Sequence, residues 1–168
     1  MNQEKKTKKS DLLFLVLITI LAVAVRLAVR TFVAEDWSVY WSDWLARLSE
    51  GGFRALADDF YDYAPPVMYI LYFITLLPVN AMTAFKGLCC LLDFAGAVLI
   101  GRMVTECSGS RKRGYLAYGV FLFLPTVILN AAVWSQCDII YTSFLLYSYL
   151  YFLEDDGEKS AIFFGLSF

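Results

Sequence analysis

Apolar positions along this chain gather into long runs divided by short polar stretches. The runs are Leu12 to about Val33, Pro65 to Val79, Met82 to Val104, residues 114–129 and residues 136–153, and another opens in GEKSAIFFGLSF. They lack the strict alternation of a half-buried strand, and they are apolar on every face, as helices in lipid are. A helix rises ~1.5 Å per residue, so crossing a ~30 Å hydrocarbon layer takes about 20 residues. Leu12–Val33 and Met82–Val104 reach that length, whereas Pro65–Val79, with about 15 residues, falls short. Its opening, DYAPP, suits a helix start, where the N–H groups that proline lacks would be unpaired anyway, and Pro78 ends it. The pattern predicts a juxtamembrane or re-entrant helix that dips into the bilayer without crossing.

Charge placement orients these segments. The basic start, MNQEKKTKKS, predicts a cytoplasmic N-terminus. Ala22-Val23-Ala24 has the form of a signal-peptide cleavage site, but the apolar pattern continues through Arg26 and Arg30, so a signal anchor is the better reading. Residues 34–80 then form an extracytoplasmic loop. The next basic cluster, Arg111-Lys112-Arg113, returns the chain to the cytoplasm, which leaves room for one full crossing between them. Residues 114–129 run outward, Asn130 to Asp138 lies at the outer face, and 136–153 returns. The last run stops after about eight residues, too few to span, so residues 1–168 read as one transmembrane module, the N-terminal part of a longer membrane protein.

Composition agrees with this placement. With 60% hydrophobic residues, 18% charged and a mean hydropathy of +0.60, a soluble domain of this length could not cover its apolar content. The expected fold is all-α, a polytopic transmembrane helical bundle with an outer loop of amphipathic juxtamembrane helices. Four cysteines without metal spacing read as small packing residues, and the lack of any histidine removes His-based zinc sites and Ser-His or Cys-His triads. Nothing in the sequence supports a divalent metal, another cofactor or nucleic-acid binding.

Candidate chemistry clusters at the outer face. At helical spacing Trp37, Trp41, Trp44 and Leu48 share one face, and Asp36, Tyr40, Asp43 and Arg47 share its neighbour. One reading is an interfacial anchor with indoles at headgroup depth and solvated charges. The other makes Asp36, just beyond the first span, a general base on a hydroxyl beside a lipid-linked reactant. Arg26, Arg30 and Lys86 could hold a lipid phosphate or snorkel to headgroups. Asp93 is an intramembrane acid that should face protein and pair with Lys86 or an arginine of the first helix. Asn130, Trp134, Ser135, Gln136 and Asp138 form a second outer cluster, suited either to sugar hydroxyls and a pyranose face or to a capped polar turn.

Taken in order, EDWSVYW, DYAPP, the Lys86–Asp93 pattern and NAAVWSQCD resemble the membrane glycosyltransferases of the GT-C class. The likeness is to bacterial relatives of the polyprenyl- or dolichyl-phosphate-dependent mannosyl- and glucosyltransferases, and it covers nearly the whole chain. Their Asp-x-x-x-Tyr-x-x-Trp start is matched by Asp36, Tyr40 and, displaced by one residue, Trp44. Their Tyr-Pro-Pro becomes Tyr63-Ala64-Pro65-Pro66, and their Trp-Gly-Gln-x-Asp becomes Trp134-Ser135-Gln136-Cys137-Asp138.

The resemblance implies inverting hexose transfer from a polyprenyl-phosphate sugar to a glycan, lipid or protein hydroxyl, at the outer face of a bacterial inner membrane. Asp36 would be the base, with Asp43 the next candidate. Asp62 and Tyr63 would orient the acceptor or the base, Tyr40, Asn130, Trp134, Gln136 and Asp138 would bind substrate, and Arg26, Arg30 and Lys86 would hold the lipid phosphate. The class has about twice as many helices, so the chain alone is expected to be inactive. The alternatives are a non-enzymatic transporter or complex subunit, or a polyprenyl-phosphate flippase. The acids crowd the outer interface and no internal repeat is visible, unlike the midplane sites and repeated halves of transporters.

Overall fold

The computed structural model describes residues 2–167, with side chains from Ser10 onward. The fold is all-helical, without a strand among the described residues. Two helices are long and apolar enough to cross a membrane: α1 (Asn2–Val29), through its stretch Ser10–Val29, and α4 (Ala81–Ser108). Between them lie α2 (Ser42–Gly51) and α3 (Pro65–Thr75), and after them α5 (Arg111–Phe123), α6 (Pro125–Ile128), α7 (Asp138–Leu153) and α8 (Gly157–Gly165).

Residues 114–129 do not form the single straight helix expected from their hydropathy. Leu124 is held extended (φ −59°, ψ 126°), as the residue before a proline prefers, and Pro125 starts a new helix. The α5 axis and the Pro125–Val133 segment are bent by 51°, so together they make a third span only if a broken one is counted. α1 also ends at Val29 rather than near Val33. α4 has firm boundaries: the Asn80 side chain accepts the Thr83 N–H at 3.0 Å, and Gly109 closes the helix with a left-handed φ of 63°.

α3 behaves as its proline doublet predicts. Ala64 is extended, Pro65 and Pro66 fill the first helical positions, and the helix is 11 residues long, about 16 Å. Tyr63, just before it, bonds Gln136, and Lys86, shortly after it, bonds the carbonyls of Arg30 and Phe32 beyond α1. Both flanks of α3 therefore meet the same end of the bundle.

The indole face of the loop between α1 and α3 departs from the reading as an interfacial anchor. Trp37, Trp41, Trp44 and Leu48 do not form a free apolar face. They are buried in the main core with Val67, Met68 and Leu71 of α3 and Phe85 and Cys89 of α4. α3 folds back over the loop and supplies the apolar partner that an interfacial helix would otherwise find in lipid. Trp41 is 1% exposed, with ring centroids 4.9 Å from Phe85 and 5.2 Å from Tyr63. Such aromatic pairs add ~0.5–1.5 kcal/mol each beyond the area they bury.

α4 is the central element, packing against α3, α5 and α7. Its approach to α5 is closest at Gly101 and Gly114, where a Cβ on Gly114 would collide with Thr105 Oγ1 and the Gly101 carbonyl. Backbone is on one side of that contact, so it cannot yield by a rotamer change. Gly114→Ala is expected to cost about 1–3 kcal/mol through overpacking. Gly87→Ala, with open space around its Cβ, should be neutral or slightly stabilising. Thermal unfolding of the two variants in detergent checks the contrast, and equal melting temperatures would refute it.

Candidate functional site

Three stretches distant in sequence meet through a pair of side-chain hydrogen bonds. Gln136 donates from Nε2 to Asp36 Oδ2 at 3.0 Å, and its Oε1 accepts from the Tyr63 hydroxyl at 3.0 Å. The amide has one sensible orientation, since reversing it would set a carbonyl oxygen against a carboxylate. Each partner is placed by a local break in regular structure. Asp36 immediately precedes a π-helical turn (Trp37–Trp41), Tyr63 precedes the proline start of α3, and Gln136 follows a second π-helical turn (Leu129–Val133).

Tyr63 is a fixed donor in this chain of bonds. Burial, reinforced by Cys137, Asp138 and Asp36, pushes its phenol up to about 12. Asp36 has one oxygen engaged by Gln136, and its other oxygen takes no hydrogen bond among the described residues. The carboxylate lines an open cleft of about 280 Å³ together with Glu35, Phe32, Trp134 and Gln136. Trp134, 46% exposed, presents an indole to that space.

A second cleft, about 210 Å³, lies between α1 and α4 and is mostly apolar, with Thr83 and three cations, Arg26, Arg30 and Lys86, as its polar lining. Its walls include Val23, Leu27, Leu91 and Phe94. The three cations have unequal freedom. Lys86 spends two donors on the carbonyls of Arg30 (3.2 Å) and Phe32 (2.6 Å), leaving one of its three. Arg30 is exposed and gives one bond to the Leu27 carbonyl at 2.9 Å. Arg26 is committed inward: it pairs with Asp93 at 3.0 Å, donates to the carbonyls of Ala22 and Leu122, and stacks over Phe94. Its role is structural, and the expected pairing of Asp93 with a first-helix arginine is the arrangement found. Lys86 also joins the two clefts, because Arg30 lines one and Phe32 the other.

The remaining candidates sit elsewhere. Asp43 forms an exposed ion pair with Arg47 at 2.9 Å, one helical turn apart on α2. Tyr40 is exposed and leans on Trp44. Asp62 is exposed and makes no hydrogen bond or ion pair among the described residues, so its neighbour Tyr63 is the side chain that DYAPP delivers to Gln136. Asn130 donates to Asp138 at 2.7 Å, and both line a different cavity of about 210 Å³, shared with Asp93, Thr126 and Thr142. Among the described residues no three His, Cys, Asp or Glu side chains cluster to hold a metal.

Two features escape a reading by residue type. Glu35 lines the Asp36 cleft with nothing in its spacing to mark it. Ser135 is wholly buried at φ 59°, and its hydroxyl has no partner. The backbone there is thus left-handed, which costs a non-glycine residue about 1 kcal/mol or more. Ser135→Gly removes both the strain and the unpaired hydroxyl. It is expected to stabilise the protein by about 1–2 kcal/mol, and a melting temperature at or below wild type would count against this account.

No family model matches the chain, and no curated protein or solved structure matches it either.

Proposed function

We propose that this chain carries the catalytic loop of a polytopic, GT-C-like membrane glycosyltransferase that uses a polyprenyl-phosphate hexose. One observation carries the reading: an open carboxylate cleft and a cationic, apolar-walled cleft adjoin through Lys86. Such a pair suits a reaction whose nucleophile is a hydroxyl in water and whose leaving group is a phosphate on a lipid.

In the proposed step, Asp36 accepts the proton of the acceptor hydroxyl as that oxygen attacks the anomeric carbon from the face opposite the phosphate. The C–O bond to the lipid phosphate breaks, and the electron pair leaves on phosphate oxygen. Arg30 and the free donor of Lys86 stabilise that charge, while Leu27 and Leu91 flank the isoprenoid. Gln136, held by Tyr63, fixes the Asp36 carboxylate, and Trp134 offers a face to a sugar ring. The reading places the site at the outer face of a bacterial inner membrane, with a cytoplasmic N-terminus.

The protein, reconstituted in liposomes, is expected to transfer labelled glucose, mannose or galactose from one polyprenyl-phosphate donor. Arg30→Gln should reduce kcat/KM about 10- to 100-fold, as expected for losing a hydrogen bond to a charged group. Absence of transfer from every such donor by folded protein, or an Arg30→Gln variant of full activity, would overturn the proposal.

A further inference from the structure

A larger apolar cleft opens at the opposite end of the bundle. It measures about 450 Å³, lies where α1, α4 and α5 meet, and is lined by Leu15, Val98, Gly101, Gly114, Tyr115 and Tyr118, among others. Gly101 and Gly114 lie on its wall, where α4 and α5 touch backbone to backbone. Val98 is 61% exposed on its wall, so the groove faces what surrounds the helices. From Lys86 to Arg102 along α4 is about 24 Å, which puts this cleft at the other membrane face from the carboxylate site.

Its rim is basic. Arg111 lines the cleft, and Arg111, Lys112 and Arg113 are exposed at the start of α5 without an ion pair among the described residues. Three adjacent cations at the positive end of a helix dipole repel one another and oppose the dipole. The Ser110 side chain makes no capping bond there. Arg102, the other cation at the cleft, is already held by two carboxylates, Glu106 at 2.8 Å and Glu154. Net positive charge is therefore concentrated on the α5 side of the groove.

We infer that this cleft binds one anionic phospholipid, its phosphate against Arg111 and the first turn of α5 and an acyl chain in the groove against Leu15 and Val98. An anionic headgroup offsets both the mutual repulsion and the unfavourable dipole, and a chain fills apolar space that water would wet poorly. A soluble anion would satisfy the rim and leave the groove empty.

The test is lipid retention by the purified intact protein, measured by native mass spectrometry with phosphatidylglycerol and phosphatidylcholine as probes. Phosphatidylglycerol should be preferred, with the preference falling about fivefold for each basic residue removed in the series R111Q, R111Q/K112Q and R111Q/K112Q/R113Q. Val98→Trp, a change at an exposed wall, should lower retention of both lipids while leaving the melting temperature in lipid-free detergent unchanged. Equal retention of the two lipids by wild type would overturn the inference. So would a preference that survives the triple variant, or inorganic phosphate displacing the lipid at equal concentration.

Discussion

Asp36→Asn is expected to lower the proposed hexose transfer about 10²–10⁴-fold, the usual contribution of a positioned general base. Asn keeps the shape and can still accept the Gln136 amide through its oxygen, so the loss reports basicity rather than architecture. Asp43→Asn is the control. That carboxylate is more than half exposed and bound to Arg47, and an exposed pair on a helix contributes only ~0.3–0.5 kcal/mol, so activity should stay near wild type. Full activity in Asp36→Asn would remove the base from the mechanism. Loss in Asp43→Asn alone would move it along the loop to α2. Tyr63→Phe refines the picture. A phenol whose pKa is pushed up to about 12 keeps its proton throughout the neutral range, so it always donates to Gln136. The variant should reduce kcat without changing the shape of the pH–rate profile, and a lost or displaced limb would show that Tyr63 itself titrates in the reaction.

Asp93→Leu is expected to destabilise the protein by about 3–5 kcal/mol, because it leaves Arg26 charged, buried and without its counter-ion. Arg26 and Asp93 are 4% and 1% exposed, and the pair ties α1 to the middle of α4. The penalty belongs to the orphaned charge more than to the lost bond. The double variant Arg26→Met/Asp93→Leu should therefore recover most of the stability, since two apolar side chains replace two charges. Unfolding in detergent for wild type, both single variants and the double variant gives the coupling directly. If Asp93→Leu costs no more than a surface substitution, Arg26 has found another partner and is free for the lipid cleft after all.

How far these features could be read in the sequence varies with the interaction that sets each one. The DYAPP start of α3 was legible because proline acts locally, through a missing N–H and a fixed φ. The end of α4 was placed by hydropathy at Val104, four residues short of Ser108, where Gly109 supplies the left-handed residue that closes the helix. Hydropathy alone hid the break at Pro125: proline counts little against the apolar residues around it, although its backbone effect ends α5. The Trp37–Trp41–Trp44 face was recognised as a face, but its burial depends on α3 folding back, a long-range event without a local signature. The meeting of Asp36 with Gln136, 100 residues apart, was accessible only through charge placement and the resemblance, and the identity of the DYAPP side chain that joins them was not. The resemblance names both Asp62 and Tyr63, and the bond to Gln136, made by Tyr63, depends on a long-range meeting that DYAPP itself does not encode.

The site depends on α3 entering and leaving by one membrane face, so that Asp36, Tyr63 and Gln136 share a compartment. Side-specific thiol labelling tests this most directly. Val79 and Trp134 are both exposed, at 57% and 46%, and Cys107, the exposed native thiol, reports the far end of α4. In sealed vesicles, Val79→Cys and Trp134→Cys, each made in a Cys107→Ser background, should react with an impermeant maleimide from the same side, and native Cys107 only from the other. Labelling of Val79→Cys from the side that exposes Cys107 would mean that α3 crosses, dividing the proposed site between two compartments.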